Sequence, residues 1–200
     1  MEINGKRLKI VPLTLRHVYE MRNWGYHETP LLADYNFPHM TDKEIKRWYR
    51  YKTLSLFNKY YGVTNEENKL IGYMGIKNIR RIKRESTLGI VFDPNFVNMG
   101  YGTETLNTFL NYYFNNMKMK RMYLEVAEFN KRARRAYEKV GFEDCGYYLD
   151  VYPNCDLDIH SPYYLEEKSS FVISDKKIYN YIYKMKIDKK DFLKNSNNLE

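Results

Sequence analysis

Two hundred residues with 44% hydrophobic side chains and a formal charge of +8 suffice for one folded unit with its own core. No apolar run is long enough to span a membrane, and the first residues lack the apolar stretch of a signal peptide. Cys145 and Cys155 lack zinc-ligand spacing with His17, His27, His39 or His160, so a cytoplasmic protein with reduced thiols and no structural metal is expected.

In chain order, residues 6–11 read as a first strand with Leu8 and Ile10 on one face, stopped by Pro12. Leu15, Val18, Tyr19 and Arg22 suit a short amphipathic helix that ends near Trp24-Gly25. Residues 26–40 have no period and hold His27, Glu28, Asp34, Tyr35 and His39. Thr41 and Glu44 make a capping box, followed by Ile45, Trp48, Tyr49 and Lys52 on one helical face. Residues 62–64 and 70–76 look like hairpin strands around the polar turn 65–69.

The stretch 88–142 organises the rest. Leu88, Ile90 and Phe92 alternate in a strand that Asp93-Pro94 ends. Gly100-Tyr101-Gly102 then feeds a helix whose face carries Leu106, Phe109, Leu110, Tyr113, Phe114 and Met117. Met122, Leu124 and Val126 alternate in a further strand. Asn130 is a good N-cap for a helix with Ala133, Ala136, Tyr137 and Val140 on one face, and Gly141 suits a left-handed C-cap. A glycine turn opening a helix offers free N–H groups and a positive dipole end to an anion.

These two blocks resemble the GNAT superfamily of N-acetyltransferases. Asn98-Met99-Gly100-Tyr101-Gly102-Thr103 is similar to that family's pyrophosphate loop. The run from Asn130 to Phe142 is similar to its N-x-x-A-x-x-x-Y-x-K-x-G-F signature at every fixed position. Val97 departs from the usual Gln or Arg before the loop. The resemblance implies an α/β fold of the mixed α+β kind: a mostly antiparallel central sheet with one splayed strand pair and helices on both faces. It implies one such domain over 1–190, with an inserted acidic segment at 150–168 and a polar C-terminal tail at 191–200.

The same resemblance implies acetyl-CoA as cofactor and transfer of its acetyl group to a primary amine in a ternary complex. Backbone groups of Val91 and Phe92 would hold the pantetheine arm, and Asn98, Met99, Gly100, Tyr101, Gly102 and Thr103 the pyrophosphate. Asn130 would touch the arm, and Arg132 and Arg135 would hold phosphate charge. Tyr137 would act as general acid toward the departing thiolate, although spacing alone places it in the core. The family's usual basic Glu position is Thr87 here, which leaves Glu125 as one candidate base and a water chain as another.

After Phe142, residues 147–152 read as a strand, and 171–173 with 178–187 as a terminal hairpin. That ending is similar to the ribosomal-protein and spermidine acetyltransferase branch. Residues 150–167 hold five carboxylates, among them Asp156 and Asp158, and no Lys or Arg. With Glu28, Asp34 and Tyr35 they suggest an acceptor pocket for a cationic amine: a polyamine, an aminoglycoside or a protein N-terminus. A solvated acidic loop is the plain alternative. Two basic clusters, 80–84 and 131–135, raise nucleic-acid binding, but an anionic cofactor at the Asn130 helix accounts better for the second. A non-catalytic acyl-CoA-binding module stays open because of Val97 and Thr87, as does a homodimer.

Overall fold

Period-two apolar patterning over the first half of the chain produces successive antiparallel strands, and capped amphipathic segments cover them. The computed structural model describes residues 2–153 and 157–197. A short hairpin of β1 (Ile3–Asn4) and β2 (Leu8–Pro12) leads into α1 (Leu15–Glu20) and α2 (Asp42–Thr53). Then come β3 (Lys59–Asn65), β4 (Leu70–Arg80), β5 (Glu85–Phe92), α3 (Tyr101–Asn115), β6 (Arg121–Ala127) and α4 (Lys131–Val140). The chain closes with β7 (Glu143–Val151), α5 (Pro162–Glu166), β8 (Phe171–Ser174), β9 (Lys177–Asp188) and α6 (Lys189–Asn197).

Among the described residues, the strands join in one sheet ordered β1-β2-β3-β4-β5-β6-β9-β7, with β8 beside β9. Every pairing is antiparallel except β5 with β6. On one face α3 and α4 bury Leu106, Phe109, Tyr113, Phe114 and Val140 against Ile10, Met74, Ile76 and Met122. On the other, α1 and α2 bury Val18, Ile45 and Trp24 with Leu13 and Leu70. The expected mixed sheet with helices on both faces is therefore present.

The caps act as their residue types require. Thr41 Oγ1 accepts from Glu44 N at 3.4 Å, and Glu44 Oε2 accepts from Thr41 N at 2.8 Å. Asn130 Oδ1 accepts from Ala133 N at 3.2 Å at the start of α4. Gly141 ends that helix at φ +105°, where its N–H reaches the Tyr137 and Glu138 carbonyls.

Two segments expected from the sequence can be described further. The tail expected at 191–200 is helical through Asn197, the end of α6, and residues 198–200 lie outside the described residues. Phe192 is 4% exposed and packs on Phe114, with ring centroids 5.5 Å apart. Nine largely polar residues have little helical stability of their own, and this one aromatic anchor supplies it. The described part of the acidic segment packs on the fold. Tyr152, Leu157, Tyr164 and Phe171 pack with Leu31 of the 3-10 turn Pro30–Tyr35, and Tyr152 Oη donates to the Pro30 carbonyl at 3.2 Å.

Phe192→Ala should lower unfolding free energy by about 3 kcal/mol, as for other buried aromatic truncations. Urea unfolding measures this, and hydrogen exchange should show α6 amides losing protection first. A loss well under ~1 kcal/mol would mean that α6 is not anchored through Phe192.

Candidate active site

The site begins where two strands part. β5 and β6 run side by side from Glu85 opposite Arg121 to Leu88 opposite Leu124. Beyond that point β5 stays with β4 as far as Phe92 opposite Gly72, while β6 stays with β9 as far as Ala127 opposite Ile182. Along the facing edges of 89–92 and 125–127 no ladder forms, and a cavity of about 820 Å³ opens between them. The paired end is pinned by Tyr113, whose hydroxyl donates to the Arg121 carbonyl at 2.8 Å and lies 2.8 Å from Ser86 Oγ. Arg121 in turn grips Asp188 at 2.7 and 3.0 Å.

At one end of the cavity lies the glycine loop. Asn98 has φ +61° and Gly100 φ +82°, both left-handed, and Gly100 is the N-cap of α3. Alternating handedness turns successive N–H groups toward one side, the concavity that anions occupy. A Cβ on Gly102 would meet nothing nearer than Phe92 at 3.7 Å, so the approach to the backbone is open. Arg7, in the turn before β2, was not legible as part of this site. Its backbone N and Nε donate to Glu104 at 2.7 and 2.9 Å, and both terminal nitrogens reach the Met99 carbonyl at 3.3 Å. Its guanidinium also lies 4.7 Å over the Tyr101 ring. The loop is held from outside by one side chain.

The basic run at the start of α4 divides by helical geometry. Lys131 pairs with Glu167 at 2.8 Å, and Arg134 is tied to Glu138, Asp144 and the face of Tyr183. Arg132, Arg135 and Lys139, spaced three and four apart, line the cavity beside Gly100–Thr103. Desolvation by burial lowers the Arg132 pKa. An opened strand edge, a left-handed loop at a helix N-terminus and three cations together fit coenzyme A, with its two amides and its phosphates.

Tyr137 is both core and site. It is 9% exposed, packs edge-on to Phe142 at 5.9 Å and lines the cavity. Its hydroxyl has no hydrogen-bond partner among the described residues, and burial pushes its pKa well above 10. Asn130 lines the cavity too, but its oxygen caps α4 and its side chain lies within hydrogen-bonding reach of the Tyr35 hydroxyl. Tyr35, whose pKa burial raises, is thereby brought to the same wall.

The remaining expectations divide. Val91, Phe92, Asn98, Gly100, Tyr101, Gly102, Thr103, Arg132, Arg135 and Glu125 all line the cavity. Met99 does not; its side chain is exposed and its carbonyl is taken by Arg7. Glu28, Asp34 and Asp158 are not among the lining residues either, and all three are exposed, while Tyr152 and Tyr164 of the late segment pack inward. Asp156 lies outside the described residues. Lys52, Tyr60, Tyr73 and Lys77, which sequence reasoning missed, line the far end with Thr87 and Gly89.

The sequence matches the family described as the acetyltransferase (GNAT) domain over residues 7–143, and the chain belongs to that family. A curated relative, the spermidine N(1)-acetyltransferase of Vibrio cholerae, is 24% identical over 115 residues. The match takes in 58% of this chain and spans 66% of that relative's length. Among solved structures, the spermidine N-acetyltransferase of Vibrio cholerae in complex with CoA and spermine superposes with a TM-score of 0.68 at 19% identity. That match covers 94% of this chain and 99% of the other. A dodecameric structure of the same Vibrio cholerae enzyme, in an intermediate state, gives 0.67 at 19% identity over 96% and 99%. At such identities the likeness is one of fold.

Arg7→Ala should weaken acetyl-CoA binding by roughly 10-fold, because the loop loses a charge-assisted hydrogen-bond anchor. Isothermal titration measures it. An unchanged Kd would show that the loop keeps its shape without Arg7.

Proposed function

We propose that the protein is an N-acetyltransferase that moves an acetyl group from acetyl-CoA to a primary amine. The observation that carries this reading is the parting of β5 from β6 beside the left-handed glycine loop and the cationic stripe of α4. The parted edges offer N–H and C=O groups that water or a ligand must satisfy. An extended chain of amides lying in the gap satisfies them as a third strand would. Acetyl-CoA, when bound, supplies a thioester whose carbonyl carbon is open to attack by a neutral amine.

The chain's own groups then have distinct tasks. N–H groups along the free edge of 89–92 orient the arm and polarise a carbonyl placed against them. Amides of Asn98 to Thr103, with Arg132, Arg135 and Lys139, neutralise phosphate charge. The Tyr137 hydroxyl gives its proton to the leaving sulfur; with its pKa raised above 10, it stays protonated throughout the neutral range. Glu125 is the candidate for removing the amine proton. It lies on β6 just past the point of parting, within reach of the Tyr148 hydroxyl, and is the one carboxylate on the lining among the described residues. Thr87, opposite Tyr123 where the strands are still paired, cannot act as a base at neutral pH.

Likeness to spermidine N-acetyltransferases suggests a polyamine as acceptor. The charge at the acceptor end opposes it: among the described residues Glu125 is the one carboxylate on a lining that holds Lys52 and Lys77, and Glu28, Asp34 and Asp158 are not on it.

Two measurements test the reading. Acetyl-CoA at 100-fold over Kd should stabilise the protein by ~2.7 kcal/mol, roughly 5–11 °C in Tm for a domain of this size, with no equal shift from ATP. Tyr137→Phe should lower kcat by ~10²-fold while the acetyl-CoA Kd stays within about twofold. No thermal shift would exclude the cofactor site, and wild-type turnover in the variant would remove Tyr137 from the chemistry. Binding without turnover against any amine would instead favour the non-catalytic module.

A further inference from the structure

The acceptor end of the cavity has a floor made unusually low. Gly75 and Gly89 face each other across β4 and β5. A Cβ on Gly75 would strike the Tyr60 ring, so that ring lies flat on the strand where a side chain would otherwise stand. Over Gly89 lies Lys77 instead, its Cε and Nζ both 3.5 Å from where a Cβ would be. Lys77 is directly opposite Thr87, the position just ahead of the parting strands. From α2, Lys52 reaches the same bay between the rings of Trp48 and Tyr60, its Nζ 5.2 and 5.0 Å from their centroids.

Two ammonium groups therefore look onto one bay, and neither has a carboxylate within ion-pair distance among the described residues. The nearby charges do not compensate. Glu125 is engaged with Tyr148, and its cross-strand partner is another lysine, Lys184, stacked 4.8 Å from the Tyr148 ring. Burial, and then the Lys77 charge, lowers the Lys52 pKa; Lys52 is half-buried and Lys77 is exposed at the mouth of the bay. These two cations are separate from Arg132, Arg135 and Lys139, which belong to α4 and the glycine-loop end. A polycation entering here would add to the repulsion. An anion would remove it.

We propose that the acceptor is a primary amine that also bears a carboxylate or phosphate group, with Lys52 and Lys77 holding that anion while the amine points toward the parted strands. The proposal rests on the acetyl-transfer reading above and fixes the substrate class of the same site. Tyr60 and Tyr73 supply the walls for a short aliphatic spacer between amine and anion. Lys77 and Lys52 are thus specificity residues, each a charged hydrogen-bond donor to the bound anion.

The test compares matched acceptors in a thiol-release assay: 5-aminopentanoate, pentylamine and 1,5-diaminopentane; O-phosphoethanolamine and ethanolamine; and spermidine. The anionic member of at least one series should have a kcat/KM ten-fold or more above its neutral and cationic analogues, and the better series says which anion is used. Lys52→Met and Lys77→Met should each raise KM for that acceptor about 10-fold, as loss of a charged hydrogen bond does, and the double Glu variant should invert the preference toward spermidine. The acetyl-CoA Kd, measured on every variant, reports that each is folded. Spermidine or 1,5-diaminopentane preferred by the wild type would overturn the proposal, as would a preference for anionic amines that survives both substitutions. In either case acetyl transfer itself would stand. A wild-type protein that fails to bind acetyl-CoA, or binds it and acetylates no amine of the panel, would overturn the acetyl-transfer reading and this one with it.

Discussion

Everything in this structure depends on a hydrogen-bond ladder that stops. A parallel strand pair ordinarily continues until one strand ends, because each buried N–H and C=O left unpaired costs free energy. Here β5 and β6 part after Leu88 and Leu124, although both strands run on for several residues with their other neighbours. Each strand can leave because its outer edge remains fully paired, β5 to β4 and β6 to β9. The sheet stays continuous at the root, where Ser86, Tyr113 and Arg121 bind the pair to α3. The inner edges become a slot with strand geometry on both sides and no strand in it.

Charge is sorted around that slot by elements distant in sequence. α4 turns Arg132, Arg135 and Lys139 toward the glycine loop and spends Lys131 and Arg134 on Glu167, Glu138 and Asp144. Some of the chain's positive charge is paired within the fold, some lines the cavity beside the glycine loop, and a separate pair from α2 and β4 lines its far end. The other basic cluster, at the β4–β5 turn, is exposed and has one ion pair, Arg80 with Glu85 at 3.0 Å.

What could be read from the sequence was what is local. The glycine loop, the Asn130 cap, the Gly141 stop and the apolar face of α3 each depend on neighbours within a few residues, so their spacing showed them. Tyr137 was ambiguous by spacing, and it is in fact a buried side chain whose one free edge meets the cavity. Arg7, Lys52 and Lys77 were invisible for the opposite reason. Nothing within ten residues of Arg7 marks it as the clamp on a loop ninety positions later; only the antiparallel registers bring it there. Lys77 gains its place from facing Thr87 across two strands. Composition gave the charge of 150–167 but not its direction: Tyr152, Leu157 and Tyr164 take inward positions and Asp158 is exposed. The helix in the tail had no local signal, because a short polar helix derives its stability from Phe192 finding Phe114.

The two departures from the family pattern, Val97 and Thr87, become intelligible together. At Val97 the loop lacks a polar side chain, yet its shape is set by the left-handed residues Asn98 and Gly100 and by the Arg7 clamp on the Met99 carbonyl. Backbone N–H groups need no help from residue 97 to point inward once those are in place. Thr87 stands opposite Lys77, and a glutamate at that position would pair with the lysine across the strands. Threonine leaves the lysine free. A carboxylate on β6, Glu125, then stands on the far side of the gap from the lysine, so acid and cation do not quench one another. Replacing Glu by Thr at this position is thus not simply the loss of a base. On the proposal of an anionic acceptor, it leaves Lys77 available to that anion.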